Sequence, residues 1–296
     1  MIISGIFTDL FNTKFGGRHG YFKQRYYQGL VNLGGNTQKK IVYVKPEDLE
    51  KVTEILTNKL TKDEFERYTL IPFDLNDQTY SERILELREK NGYLNDRCLH
   101  VQYGKFQWML NHINEDEYIW WIDAGLICDH LFPTKYVDTL EKSKSIFSDE
   151  FFKFLIKRVN NKNYFICGDR HNYYAHGKPD KIYFDNNFQE RYHPIAGFFG
   201  GHKNNMKNFL QQSNKKIEKI LQDGKLYSEE KIMEIVMSEN IENSLFDDFT
   251  TWRHENSPEY KNGDETFREN FNKVHKPFYC NFFEGEIKRN TRIVNG

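Results

Sequence analysis

Over the first 125 positions the apolar residues fall into short dense runs, separated by longer stretches with helical spacing. Residues 2–10 begin Ile-Ile-Ser-Gly-Ile-Phe and end near Thr8 and Asp9, which predicts a strand. A loop follows at 12–20, where Gly16, Gly17 and Gly20 surround Arg18 and His19. Residues 21–33 then read as a helix, closed by Gly34 and Gly35. A second strand is predicted at 41–44, and Pro46, Glu47 and Asp48 suit the first turn of the next helix. Leu49, Val52, Ile55, Leu56 and Leu60 form one stripe along it. Residues 68–75 predict a third strand, and 80–90 and 99–113 two helices, the latter carrying Lys105, Phe106, Trp108 and Met109. Residues 118–125, Tyr-Ile-Trp-Trp-Ile-Asp-Ala-Gly, stay apolar on both faces until Asp123. Such a run suits a central strand covered on both sides. The alternation of strand and helix predicts an α/β fold: a mostly parallel sheet with helices on both faces.

The C-terminal half is less regular. Helices are predicted at 135–144 and 149–159, a short strand at 164–167, and a polar, Tyr-rich loop at 171–181. Residues 193–201, His-Pro-Ile-Ala-Gly-Phe-Phe-Gly-Gly, combine apolar side chains with three glycines. Helices follow at 205–222 and at 228–239, the second capped by Ser228. A last strand is expected at 279–287, and 288–296 as a flexible tail. With no internal repeat or linker in view, 1–287 reads as a single domain.

Composition narrows the classes. The net charge of −1 argues against a protein devoted to gripping bare nucleic acid, though a local basic groove such as 153–158 stays open. Aromatic residues reach 16%, enough to build a large core and to supply flat surfaces for sugars or bases. Cys98, Cys128, Cys167 and Cys280 share no metal-type spacing and read as reduced thiols in a cytoplasmic protein. No stretch has the length and apolarity of a membrane span, so no integral membrane contact is expected.

The candidate chemistry sits at strand ends. In an open α/β sheet, ligands bind beyond the carboxyl ends of the strands, where Asp123 would stand. There it either caps the following turn or holds a divalent cation on a diphosphate. Thr8, Asp9, Arg18 and Arg25 could bring backbone N–H groups and guanidinium groups to a nucleotide, although the loop matches neither the Walker nor the dinucleotide fingerprint. Asp129, His193, His202 and His254 are candidate partners for a cation on Asp123. Gly197 and Gly200 either floor a sugar ring or let the strand pack tightly on a neighbour. Glu229 and Glu230, in a first helical turn, either serve the helix dipole or activate a hydroxyl acceptor as general base.

Together, Trp121-Ile122-Asp123-Ala124-Gly125, the glycine-rich 193–201 segment and Ser228-Glu229-Glu230 resemble nucleotide-sugar-dependent glycosyltransferases of the GT-A type, in outline over residues 1–255. The similarity extends to bacterial and viral members with a Trp-Ile-Asp-x-Gly variant of the Asp-x-Asp motif; Gly125 stands where many have the second Asp. The resemblance implies a Rossmann-like GT-A fold, a UDP-linked nucleoside-diphosphate sugar donor, and Mn2+ or Mg2+ at Asp123 with His254. It also implies Thr8, Asp9, Arg18 and Arg25 near the nucleotide, Gly197 and Gly200 near the sugar, and Asp123, Glu229 and Glu230 at the reaction. The acceptor would be a glycan or a hydroxylated base of modified viral DNA. The rival classes are a nucleotidyltransferase or metal-dependent phosphohydrolase, which needs more acids beside Asp123, and a non-catalytic carbohydrate- or nucleic-acid-binding module.

Overall fold

In a computed structural model of the chain, the described residues are 1–7, 21–90, 98–125, 144, 147–159, 164–169, 193–239, 244–248 and 292–293. Among them one sheet holds eight strands: β1 Ile2–Ile6, β2 Lys40–Val44, β3 Tyr68–Pro72, β4 Tyr118–Ile122, β5 Tyr164–Asp169, β6 His193–His202, β7 Ser244–Asp248 and β8 Arg292–Ile293. They lie in the order β3-β2-β1-β4-β6-β5-β7-β8. β3, β2, β1 and β4 run parallel, while β6 inserts antiparallel between β4 and β5. The strand alternation puts successive side chains on opposite faces. Ile2, Ile6, Val42, Val44, Trp120, Ile122 and Phe198 enter one core with residues of the Tyr21–Asn32, Leu49–Lys59 and Asp149–Val159 helices. Ile3, Ile41, Tyr43, Ile119, Trp121 and Phe199 enter the other, against the helices Ser81–Lys90, Cys98–Asn111, Lys203–Gln222 and Glu229–Glu239. The expected α/β class, mostly parallel with both faces covered, is the observed one.

Element boundaries differ where local hydrogen bonds intervene. The third strand stops at Pro72, because the Asp74 carboxylate accepts from the Asn76 N–H (2.8 Å) and turns the chain into a short 3-10 turn. Thr61 and Glu64 cap each other reciprocally and add a helical turn, Lys62–Phe65, that hydrophobic periodicity does not announce. Two residues of the expected tail, Arg292 and Ile293, pair with β7. The expected strand at 279–287, the loop at 171–181 and all but the last residue of the helix at 135–144 lie outside the described residues.

Candidate functional site

Asp123 follows directly on β4, the strand between β1 and β6. Its backbone N–H donates to the Gly197 carbonyl (2.8 Å), and the buried Ser4 hydroxyl donates to the Ile122 carbonyl (2.6 Å). The end of the strand is therefore pinned from both neighbours. Two residues apart on a strand, Trp121 and Asp123 share a face. The Trp121 indole N–H donates to Asp123 Oδ1 at 2.6 Å, while the Asp123 side chain keeps 38% of its surface exposed. A carboxylate held on one oxygen and open to solvent has been delivered to the carboxyl edge of the sheet.

Beneath it lies Lys105, from the Cys98–Asn111 helix, with a side chain only 2% exposed. Its ammonium donates to Asp123 Oδ1 (3.4 Å), to Glu229 Oε1 (3.1 Å) and to the Ala196 carbonyl (3.0 Å). Three N–H donors thus meet three acceptors. The same ammonium stands 5.2 Å from the centre of the Trp121 ring, on whose face a cation is attracted. Burial alone would lower the Lys105 pKa, but the fields of Asp123 and Glu229 outweigh it and hold the pKa above the ordinary lysine value.

Glu229 opens the Glu229–Glu239 helix behind a Ser228 cap, whose hydroxyl accepts from the Lys231 N–H at 3.3 Å. The Tyr103 hydroxyl donates to the Tyr227 carbonyl at 2.6 Å and accepts from the Tyr227 N–H at 3.2 Å. One tyrosine of the lysine helix therefore docks the chain just before the cap, and Glu229 lands beside Lys105. Burial raises the Glu229 pKa to about 7; attraction to Lys105 opposes the rise, and repulsion from Glu230 and Asp123 reinforces it. One ammonium does not neutralise three acids, so the most deeply buried of them keeps a proton to higher pH than an ordinary carboxyl. Glu229 Oε2 is buried and has no hydrogen-bond partner.

The remaining candidates separate. Gly197 lies beside Asp123 through its carbonyl. Gly200 is opposite Trp120 inside the sheet, where an added Cβ would lie 2.3 Å from the Ile119 carbonyl oxygen. Its missing side chain serves the close approach of two strands. Glu230 is half-buried next to Glu229. His202, at the end of β6 that pairs with Tyr118 at the start of β4, caps the Lys203–Gln222 helix by accepting from the Asn204 N–H at 3.3 Å. Arg25 falls in the Tyr21–Asn32 helix and His193 at the start of β6, with side chains outside the described set. Thr8, Asp9, Arg18, Asp129 and His254 lie outside the described residues. Asp116 and Glu117 precede β4, so the strand's length separates them from Asp123; Asp116 pairs instead with the Met1 amine at 3.0 Å. Lys153 and Lys157 are the exposed side of an amphipathic helix whose Phe151, Phe152 and Leu155 are buried.

A divalent cation at Asp123 can be tested against these atoms. Asp123 Oδ1 already accepts from Trp121 and Lys105, and no second carboxylate stands at Gly125. A Cβ at Gly125 would lie 2.5 Å from the Tyr26 ring, which would have to move to admit a side chain there. Among the described residues no three of His, Cys, Asp and Glu gather to hold a metal ion. The donors among the described residues do not by themselves make a site for Mn2+ or Mg2+; the expected partners Asp129, His254 and the His193 side chain lie outside them.

No family model matches the chain, and no curated protein does. Solved structures share its outline. One is the galactosyltransferase LgtC in complex with donor and acceptor sugar analogues: 12% identity, TM-score 0.48, covering 92% of this chain and 82% of that one. Another is mouse xyloside xylosyltransferase 1 in its apo form, at 10% identity and TM-score 0.45, covering 82% of each chain. Both are glycosyltransferases by name, and the likeness says nothing of which residues act here. Among the described residues no helix is long and apolar enough to cross a membrane.

Lys105 was not among the residues expected at the site. The signal for it was present: Lys105 precedes Trp108 and Met109 by three and four positions, which puts it on the helix's apolar face.

Proposed function

We propose that the chain is a GT-A-type glycosyltransferase that moves a sugar from a nucleoside-diphosphate sugar, UDP-linked, to a hydroxyl acceptor. The observation that carries this reading is the pairing at one sheet edge of a solvent-facing carboxylate, Asp123, with a buried glutamate, Glu229, whose pKa stands near neutrality at about 7. The two carboxyl groups differ in environment and so in role. Asp123 faces the donor. Glu229 takes the proton of the acceptor hydroxyl as that oxygen bonds to the anomeric carbon and the nucleoside diphosphate departs with its bonding electron pair. A base with a pKa near the working pH is suited to that transfer. Glu230 contributes charge that keeps the Glu229 proton affinity high. Thr8, Asp9, Arg18 and Arg25 are proposed at the nucleotide, and Gly197 at the sugar; the acceptor is a glycan, with a hydroxylated base of modified viral DNA as the other candidate. No step proposed is routed through Mn2+ or Mg2+, since the described donors at Asp123 do not by themselves make a site for them; His254, expected as a second ligand, lies outside the described residues.

The test is thermal stabilisation by UDP and by a panel of UDP-sugars, against ATP. Stabilisation by UDP and not ATP, with slow hydrolysis of one UDP-sugar, is the expected result, and Asp123→Asn removes the stabilisation. An Asp123→Asn protein that responds like wild type overturns the site assignment. A response to no nucleotide at all favours a carbohydrate-binding module instead.

A further inference from the structure

We propose that Lys105 is the resident cation of this sheet edge: its ammonium fills an oxygen cage that would otherwise take a metal ion. The cage is made by Asp123 Oδ1, Glu229 Oε1 and the Ala196 carbonyl, 3.4, 3.1 and 3.0 Å from Nζ. Two carboxylates and a carbonyl are the hard oxygen donors that Mg2+, Ca2+ and Mn2+ select. Their separation from Nζ is that of hydrogen bonds; a metal ion in the same place would draw them in by about 1 Å. The lysine reaches the cage from a helix fixed by its neighbours. Trp108, three residues on, stacks on Trp121 with ring centres 6.1 Å apart, and Tyr103 is bonded to the backbone before Glu229.

A second observation points the same way. The position two residues beyond it is a glycine whose Cβ space is taken by the Tyr26 ring, 2.5–2.8 Å away. An ion drawn to Asp123 therefore finds no second acid at position 125 and an ammonium already seated on Oδ1. The positive charge belongs to the chain and chelators do not remove it. This inference stands apart from glycosyl transfer, because cation binding is measured without any sugar nucleotide.

The experiment titrates the full chain with Mn2+ alone, following free Mn2+ by its electron paramagnetic resonance signal. Wild type is expected to leave Mn2+ free up to about 1 mM, the weak end of protein cation sites. Lys105→Ala empties the cage and is expected to bind one equivalent at least about tenfold more tightly, since two carboxylates then lack a cation. Its melting temperature should rise with Mn2+ or with propylammonium, which replaces the missing side chain. Adding Glu229→Gln to Lys105→Ala should abolish the gain. The proposal fails if wild type binds Mn2+ at micromolar levels and loses it in Asp123→Asn, or if folded Lys105→Ala binds no better than wild type. Should Lys105→Ala be recovered unfolded, refolding with Mn2+ or propylammonium restores its near-ultraviolet circular dichroism if the cage is a cation site. Failure of both ions to do so counts against it.

Discussion

The two ends of the sheet each bury a lysine, and they treat it in opposite ways. At the start of β2, Lys40 is fully buried; its ammonium donates to the Asn36 carbonyl at 2.6 Å and lies 5.6 Å from the centre of the Tyr68 ring. Burial and the nearby Arg67 guanidinium push its pKa down to about 7, against weaker pulls from Asp149 and Glu64. At the other end Lys105 is as deeply buried, yet Asp123 and Glu229 hold its charge in place. Burial is common to both; carboxylates bonded to the ammonium are not. A buried ammonium bonded to a carbonyl, with acids acting only weakly on it, gives up its proton near neutrality, whereas one bonded to two acids becomes a fixed charge. The carboxyl edge is thus an electrostatic assembly, and the amino edge is packing that tolerates a polar group.

The same substitution at both lysines separates these cases most strongly. Lys105→Met leaves Asp123 and Glu229 without their shared cation and is expected to cost about 3–5 kcal/mol. Urea unfolding at pH 8 measures it. Because Lys105 holds the Glu229 pKa down, Glu229 in the variant takes its proton above pH 7, so the cost should shrink as the pH falls towards 7 and stay level below it. A loss under about 1 kcal/mol at pH 8 would mean that the acids do not depend on the lysine.

Glu229 gives the next effect. Its folded pKa, about 7, lies above the usual carboxyl value of 4.5, so the folded state binds the proton more tightly. Its burial therefore weakens the fold above pH 7, and that penalty is relieved as the pH falls from 7 towards 4.5. Glu229→Gln, which mimics the neutral acid, should be more stable than wild type at pH 8, by about 3 kcal/mol at most. The advantage should vanish near pH 4.5. Unfolding curves at several pH values check the slope; a constant difference would show that Glu229 does not titrate in the folded protein.

At Lys40 the sign reverses. Its folded pKa, about 7, lies below the ordinary 10.5, so its charge penalises the fold at and below pH 7 and the penalty lifts between 7 and 10.5. Lys40→Met should gain about 1–2 kcal/mol at pH 7, with the gain falling as the pH rises to 10. The Asn36 carbonyl keeps a donor in Arg67, whose Nη1 lies 3.1 Å away. A loss of stability at pH 7 would show that the ammonium contributes at the amino edge as well.

The two edges were unequally legible in the sequence. β4 and Asp123 stand out because an apolar run with one acid at its end has few other uses, and the parallel half of the sheet follows from strand–helix alternation. Glu229 was visible as a first-turn acid, and its burial was visible too: Ile232, Met233 and Val236, at three, four and seven positions on, are all buried on its face. Lys105 carries the same signature, a charge at the head of an apolar stripe. The pairing of the two was not legible, because it depends on how two helices dock on one sheet face. Gly200 was ambiguous for the same reason, since its contact with Trp120 is set by an antiparallel register between distant strands. The approach of Tyr26 to Gly125 likewise depends on tertiary packing that no local pattern announces.

The smallest expected effect tests that docking directly. Burial pushes the Tyr103 pKa up to about 12, so the hydroxyl keeps its proton for the Tyr227 carbonyl through the working pH range. Tyr103→Phe keeps the packing and removes one donor to that carbonyl and one acceptor for the Tyr227 N–H. The expected cost is about 1–2 kcal/mol for the paired hydrogen bonds. The more telling readout is the pH profile. If Tyr103 is what brings Glu229 against Lys105, the variant should lose part of the stability slope between pH 4.5 and 7 as Glu229 moves towards an ordinary carboxyl pKa. An unchanged slope with the same loss of stability would mean that the Ser228 cap and the stripe of Ile232, Met233 and Val236 hold Glu229 in place without the tyrosine.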